Sequence, residues 1–417
     1  MHDVIVIGGG PAGSTAATIL AQRGRSVLLL ERERFPRFQI GESMLPYSND
    51  IFRRLGVYEK LVDGDFFPKY GGAFVTADGT ASTVFRFNEN LEPPYKRSFQ
   101  VERSRFDQLL LDHSRENGVE VREETPVSRV DLADGSRVVV ETAAGAQLES
   151  RFVIDASGHG ALLAHATGRR TAVSALKKIA YFSHYRNVEH EPGRDKYNIV
   201  IVVLRNAWFW MIPLSEEKMS VGLVIERDHA MASGLSPEEM LDRTIASAPY
   251  VARRMRNAER TAKVFTRKDF SYRVSQLVGE NFALAGDAAG FLDPIFSTGV
   301  MIAMTSATRV ADAVVDKLER GSMRALRSYE SKTQTAINRY LRFIQNFYRR
   351  EFLEMLLHPD PPRPMFLAIV RVLGGNVFSS RLDRMMLGAF FAMVRLQKRF
   401  RFAPPIAWDS LPSAASV

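Results

Sequence analysis

The 417-residue chain contains no cysteine. That absence excludes disulfides, thiolate-held zinc, iron–sulfur clusters and a cysteine nucleophile. The segment Met1–Ile7 lacks the basic stretch and following apolar stretch of a secretory signal, so a cytoplasmic location is expected. No run of about 18 apolar residues occurs, which leaves no candidate for a membrane-spanning helix. Neither internal repeats nor low-complexity tracts are present. The eight histidines have no metal-ligand spacing, so no metal site is expected, and no Ser–His–Asp nucleophile arrangement is recognisable. Tryptophan is scarce, with three in the whole chain.

What is present is a globular composition, 46% apolar and 25% charged, long enough for two or three packed units. The net charge of +9 is unevenly placed: residues 301–417 carry 18 Lys and Arg against 9 Asp and Glu, so the first 300 residues balance. A basic tail on a neutral body points to an acidic partner, or simply to solvated helix faces. No nucleic-acid-binding motif accompanies the charge, so nucleic acid is not expected.

The chain opens on a β-branched run, Val4–Ile7, followed at once by Gly8-Gly9-Gly10-Pro11-Ala12-Gly13. A helical pattern then covers 14–23, and a second apolar strand, 26–31, ends on Glu31, 18 residues beyond Gly13. In this G-x-G-x-x-G spacing Gly8 allows the tight turn, Gly10 admits a pyrophosphate, and Gly13 lets helix and strand pack closely. The helix start offers unpaired N–H groups to phosphates, and Glu31 can accept the ribose hydroxyls of an adenosine.

A second nucleotide signal is Gly286-Asp287, delivered by the short apolar strand 282–285. Beyond it, Asp293-Pro294-Ile295-Phe296-Ser297-Thr298-Gly299 leads into a long helix starting near Ser297, whose positive end suits a small anion or a reduced flavin. Strand patterns also cover 73–84, 119–122, 127–132, 137–141 and 151–154, the last ending in Asp155-Ala156-Ser157-Gly158. The alternation in 180–188 and 199–225 predicts antiparallel sheet, with aromatic side chains of 179–203 facing a substrate. Helices dominate after Gly299, and the prolines at 359–364 and 404–405 mark off a C-terminal helical part.

Together these marks resemble the FAD-dependent monooxygenase superfamily of the aromatic hydroxylase type, over roughly residues 1–340. The resemblance implies an α/β fold: a Rossmann-like FAD-binding domain from 1–65, 97–165 and 266–320, an inserted antiparallel-sheet substrate domain from 66–96 and 166–265, and a helical subdomain at 321–417. It also implies a cofactor-binding set: Gly8, Gly10, Ala12, Gly13, Glu31, Arg32, the loop Gly41-Glu42-Ser43, Arg103 near the FAD phosphates, Asp155, Gly286 and Asp287.

Two further motifs narrow the resemblance to flavin-dependent halogenases, nearest to the branch acting on pyrroles or phenols held on carrier proteins. Trp208-Phe209-Trp210-Met211-Ile212-Pro213 is similar to that family's W-x-W-x-I-P marker, an active-site wall between flavin and substrate. Read alone, the two tryptophans are a pair on one strand face, because period-2 spacing points both the same way. Lys69, in Lys69-Tyr70-Gly71, matches the family's K-x-G lysine, although a lysine in a turn is ordinarily a solvated surface residue. The resemblance implies that reduced FAD and dioxygen oxidise chloride or bromide to hypohalous acid. The halide is held around Pro294, Ser297, Thr298 and Gly299, and Lys69 directs the acid onto an electron-rich aromatic carbon.

A separate flavin reductase is the implied functional partner, and an acidic acyl or peptidyl carrier protein presents the aromatic substrate. Peripheral membrane contact through the apolar, basic stretch Met365–Phe402 is a second use for the tail. Other flavin chemistries of the superfamily, aromatic hydroxylation or prenyl reduction, and a non-catalytic FAD-binding relative remain open alternatives.

Overall fold

Strand His2–Ile7 owes its central place to an unbroken apolar run, which suits a strand buried on both faces of a parallel sheet. It pairs in parallel with Val27–Leu30 on one side and Gln147–Asp155 on the other. The sheet runs Glu120–Arg122, Val27–Leu30, His2–Ile7, Gln147–Asp155, Val138–Thr142, Val127–Asp131, and Phe282–Leu284 joins Gln147–Asp155 in parallel. Four strands therefore end side by side, at Ile7, Leu30, Asp155 and Leu284. The segments that follow are Gly8–Gly10, Glu31, Ala156–Gly158 and Gly286–Asp287. In open α/β sheets the crevice beyond such strand ends is where ligands bind. The computed structural model describes residues 1–132, 137–173, 176–268, 271–376 and 380–414; part of the basic stretch Met365–Phe402 (377–379) lies outside them.

A second sheet is ordered Glu259–Arg260, Lys178–Arg186, Lys218–Glu226, Ala207–Pro213, Ile199–Val203, Gly71–Thr76, Ser82–Arg86, with Phe265–Lys268 also on Lys178–Arg186. The expected antiparallel pattern holds except at one seam. Ile199–Val203 pairs in parallel with Gly71–Thr76, because the 71–86 hairpin arrives from much earlier in the chain. The single strand read over 73–84 is this hairpin, turned at Ala77–Gly79.

Both faces of this sheet are covered, which is why its strands read as nearly continuous apolar runs. One face carries Phe182, Ile201, Trp208, Trp210 and Ile212 and packs against helices Arg324–Phe347, Arg350–Leu356, Arg363–Leu373 and Arg381–Phe400. The other carries Tyr181, Tyr185, Phe209 and Met211 and is covered by Pro237–Ser247 and its neighbours. The aromatic residues of 179–203 thus do not share one surface: Phe182 faces the tryptophans, and Tyr181 and Tyr185 face away. Among the described residues no helix is long and apolar enough to cross a membrane.

Candidate active site

One continuous cavity of about 320 Å³ runs from the first strand ends to the tryptophan strand. At one end it is lined by Glu31, Arg32 and Thr125, then by Gly8, Gly10, Ala12 and Arg103, and at the far end by Trp208, Trp210, Ile212, Pro294, Ser297 and Gly299. Most of the residues named from sequence for cofactor, wall and halide thus line one space, reached from five separate stretches of chain.

The glycine turn fits a pyrophosphate on steric grounds. Gly8 has φ +101°, and a Cβ there would lie 2.5 Å from the Ala156 carbonyl oxygen. A Cβ on Gly13 would lie 1.8 Å from the Gly8 carbonyl oxygen, so helix Pro11–Gln22 reaches the strand end only without one. Gly10 caps that helix with ordinary extended backbone, and a Cβ there would meet only the tip of Arg37. Its bareness therefore serves the cavity rather than the fold. These residues and the helix start would hold the FAD pyrophosphate.

Glu31 is already committed to backbone. Its carboxylate accepts from Gly9 N at 2.6 Å and from Glu33 N at 2.8 Å, which fixes it at the cavity wall. Arg103, at the start of helix Arg103–Glu116, is held by both carboxylate oxygens of Asp107, at 2.7 and 2.8 Å, and donates to the Ile40 carbonyl. Asp287 lines the cavity with its carboxyl pushed up by burial, partly offset by His159 and Arg103.

Gly13, described above, and five more named residues lie behind the lining. Asp155 spends both oxygens on Ser157 N and Leu163 N, at 3.0 and 2.8 Å, so it braces the turn that follows its strand. Gly286, with φ +64°, lets the chain cross helix Pro11–Gln22 where a Cβ would lie 2.8 Å from that of Ala12. Pro213 ends the tryptophan strand outside the cavity lining, and Thr298 caps helix Gly299–Arg320. The fifth is Lys69.

Lys69 is not a surface lysine: it is 1% exposed, at the end of strand Phe67–Lys69. Its Nζ donates to Ser43 Oγ at 2.8 Å and lies 5.7 Å from the Phe87 ring centre, with no carboxylate in an ion pair to it among the described residues. Burial alone pulls its pKa down to about 7. Ser43 belongs to the cavity wall, so a single hydroxyl separates the amine from the cofactor space.

Trp208 and Trp210 are buried core residues, as their shared strand face predicts, and they also line the cavity. Their ring centres are 6.0 Å apart. Trp210 sits flat against the neighbouring strand because its cross-strand partner is Gly222, where a Cβ would come 2.1 Å from the indole. Its Nε1 donates to Ser220 Oγ at 3.1 Å.

Sequence reasoning missed what anchors Trp208. Its Nε1 donates to Tyr348 Oη at 3.1 Å, and Tyr348 donates to Asp293 Oδ2 at 2.8 Å. The other Asp293 oxygen accepts from Ile295 N at 3.0 Å, capping the turn that leads to Ser297. Burial pushes the Asp293 carboxyl up to about 6. Ser297 itself has φ +56°, the left-handed region, and this turns the chain into the long helix. A buried chain thus ties the tryptophan wall to the predicted halide turn through Tyr348, which lies 140 residues beyond Trp208. Tyr348→Phe should leave a buried indole N–H and a buried carboxylate without their partner, costing about 1–3 kcal/mol. The check is urea unfolding together with a shift in indole fluorescence.

Two histidines read from sequence as isolated have partners. His184 Nε2 lies 2.7 Å from Glu42 Oε1, between the main cavity and a neighbouring one of about 270 Å³, and His159 lies 3.7 Å from Asp287. Both pairs join residues more than 100 positions apart, which no local pattern signals.

The sequence profile of the tryptophan halogenase family matches residues 3–96 and 77–352. A 1H-pyrrole-2-carbonyl-(peptidyl-carrier protein) chlorinase from Pseudomonas fluorescens is 29% identical over 415 residues, covering 92% of this chain and 92% of its own. The corresponding brominase from Pseudoalteromonas luteoviolacea is 33% identical over 388 residues, covering 90% and 92%. The solved structure of the myxobacterial chondrochloren halogenase, described as an FAD-dependent halogenase, superposes with a TM-score of 0.79 at 32% identity, covering 94% of this chain and 97% of that one. The glycine cradle, the tryptophan wall and the buried lysine thus occur in a chain that belongs to the tryptophan halogenase family of flavin-dependent enzymes.

Proposed function

We propose that this enzyme halogenates an electron-rich aromatic, a pyrrole presented on a peptidyl carrier protein, with Lys69 as the residue that directs the halogen. Bound reduced FAD, replenished by a separate flavin reductase, supplies with dioxygen the two-electron oxidation of chloride or bromide to hypohalous acid. The backbone amides at Thr298 and Gly299, at the positive end of helix Gly299–Arg320, hold the halide at the cavity's far end. Trp208, Trp210 and Ile212 wall that end and keep the aromatic substrate from the flavin.

The observation that carries the reading is the burial of Lys69, whose Nζ donates to Ser43 of the cavity wall. A buried amine with a pKa of about 7 is present at neutrality both as ammonium and as free amine. The ammonium donates a hydrogen bond and polarises hypohalous acid, and the free amine takes up halogen as a transient haloamine. An arginine could do only the first. Relatives that halogenate a carrier-bound pyrrole match over nine-tenths of the chain, which supports that substrate class.

The expected result is a halogen isotope pattern in the product when the protein is given FAD, a flavin reductase, NADH, oxygen, bromide or chloride, and pyrrole-2-carbonyl carrier protein. A hydroxylated product without halogen would replace this reading with aromatic monooxygenation. FAD binding with no product from tethered or free pyrroles and phenols would leave a non-catalytic flavin-binding relative.

A further inference from the structure

Helix Arg381–Phe400 has two apolar faces. The inner one, with Phe390, Phe391 and Val394, is buried among the helices over the tryptophan face of the second sheet. The outer one carries Leu382, Met385, Ala389, Ala392, Leu396 and Phe400, at spacings of three and four that align them along one side. All six are exposed, with Leu382 at 55%, Met385 at 60% and Phe400 at 55%. An unbroken apolar seam in water on a folded helix marks a contact surface.

Its charge is one-sided. Arg381, Arg395, Lys398 and Arg399 flank the seam and take part in none of the ion pairs among the described residues. Arg342 joins them from the neighbouring helix, its pKa lowered by burial and then by the like charge of Arg395. The single acid of the helix, Asp383, is buried and held by Arg371 at 2.6 Å and by Ser380. The surface therefore gathers positive charge at Arg381, Arg395, Lys398 and Arg399 that no ion pair among the described residues neutralises.

We propose that this outer face of helix Arg381–Phe400 docks the acidic carrier protein that delivers the substrate, an acidic, partly apolar helix of the carrier lying along the seam. The proposal rests on the carrier-bound substrate of the preceding section. A second copy of this chain is disfavoured, because a two-fold contact would set arginine against arginine. The position suits delivery. Phe391 packs on Phe343 at 4.9 Å between ring centres, Phe343 on Phe296 at 6.1 Å, and Phe296 precedes Ser297 of the cavity wall. An apolar seam with a cationic flank is the composition of a protein contact whose rim steers an acidic partner.

The test compares pyrrole-2-carbonyl carrier protein with the same acyl group on free pantetheine, using the wild type, the charge-reversal double variant Arg395→Glu with Arg399→Glu, and the seam variant Met385→Ser with Leu396→Ser. All replaced side chains are exposed, and thermal melts confirm that the fold is retained. The expected result is a rise of at least about tenfold in KM for the carrier substrate, with kcat and all constants for the pantetheine thioester unchanged. Fluorescence anisotropy with the unloaded carrier should show the same loss of binding and a steep salt dependence in the wild type. Unchanged carrier KM, or equal losses on both substrates, would overturn the proposal. So would a wild-type dimer that the variants dissolve, or binding to phosphatidylglycerol vesicles that the variants abolish while carrier binding persists. If the carrier binds at this face but neither substrate is halogenated, the enzymatic reading fails and the docking face stands; if the thioester is halogenated and the carrier binds all variants equally, the reverse holds.

Discussion

Lys69→Met is expected to leave FAD bound while halogenation falls by about 10²–10⁴-fold, the usual span for losing a proton-transferring group. Lys69→Arg should fail as well, because a guanidinium cannot give up its proton to become a nucleophile. The same substitution has a second consequence that a surface lysine would not have. In the folded chain Lys69 has its pKa depressed from 10.5 to about 7 by burial, so at pH 7 the unfolded chain binds more protons there than the folded one. The penalty is full below pH 7, on the order of 4 kcal/mol at pH 7, and relieved as the pH rises toward 10.5. Lys69→Met should therefore melt several degrees higher than the wild type near neutrality, with the gap closing at alkaline pH. An enzyme that gains stability on losing its reactive amine places the cost of that amine in the active site. A variant that is less stable at pH 7 would remove the stability argument, and one that is equally active would remove the catalytic one.

Gly13→Ala should prevent recovery of a yellow, folded protein. The added Cβ falls 1.8 Å from the Gly8 carbonyl oxygen, and both contacting groups are backbone at the start of the central strand–helix unit. Relief requires moving helix Pro11–Gln22 off the sheet, costing at least about 3 kcal/mol. Gly10→Ala makes the contrast. Its Cβ meets only the Arg37 guanidinium at 3.3 Å, so the protein should fold normally yet bind FAD at least about tenfold more weakly, about 1.4 kcal/mol. Flavin absorbance after purification and an FAD titration of refolded apoprotein separate the two outcomes. Equal behaviour of the two variants would mean that the glycines serve only the fold.

The parts of the site carried by continuous chain were legible from sequence. A strand, a glycine turn and a helix follow one another within 31 residues, and a tryptophan pair at period two has to share a strand face. Burial of Lys69 was not legible by composition or periodicity, because it arises from a two-stranded pairing with Ser98–Gln100 and from Ser43, which are 29 and 26 positions away. Only likeness to a family pointed to it. The parallel seam between Ile199–Val203 and Gly71–Thr76 escaped for a similar reason: alternation reports which face a residue takes, never which strand lies beside it. Asp155 illustrates the converse. A strand-end aspartate has the right address for a nucleotide ligand, yet its oxygens are consumed by the two amides of its own turn.

The chain from Trp208 through Tyr348 to Asp293 has a bearing on how relatives of this enzyme can be recombined. Tyr348 follows directly on helix Arg324–Phe347, in the same C-terminal half that presents the exposed seam. A chimera that imports foreign C-terminal helices to change its delivery partner also replaces the hydroxyl that pins an indole deep inside. Apolar packing between the two halves tolerates exchange of one hydrophobe for another, but this phenol has no apolar substitute, so productive crossovers should fall after residue 348, not before it.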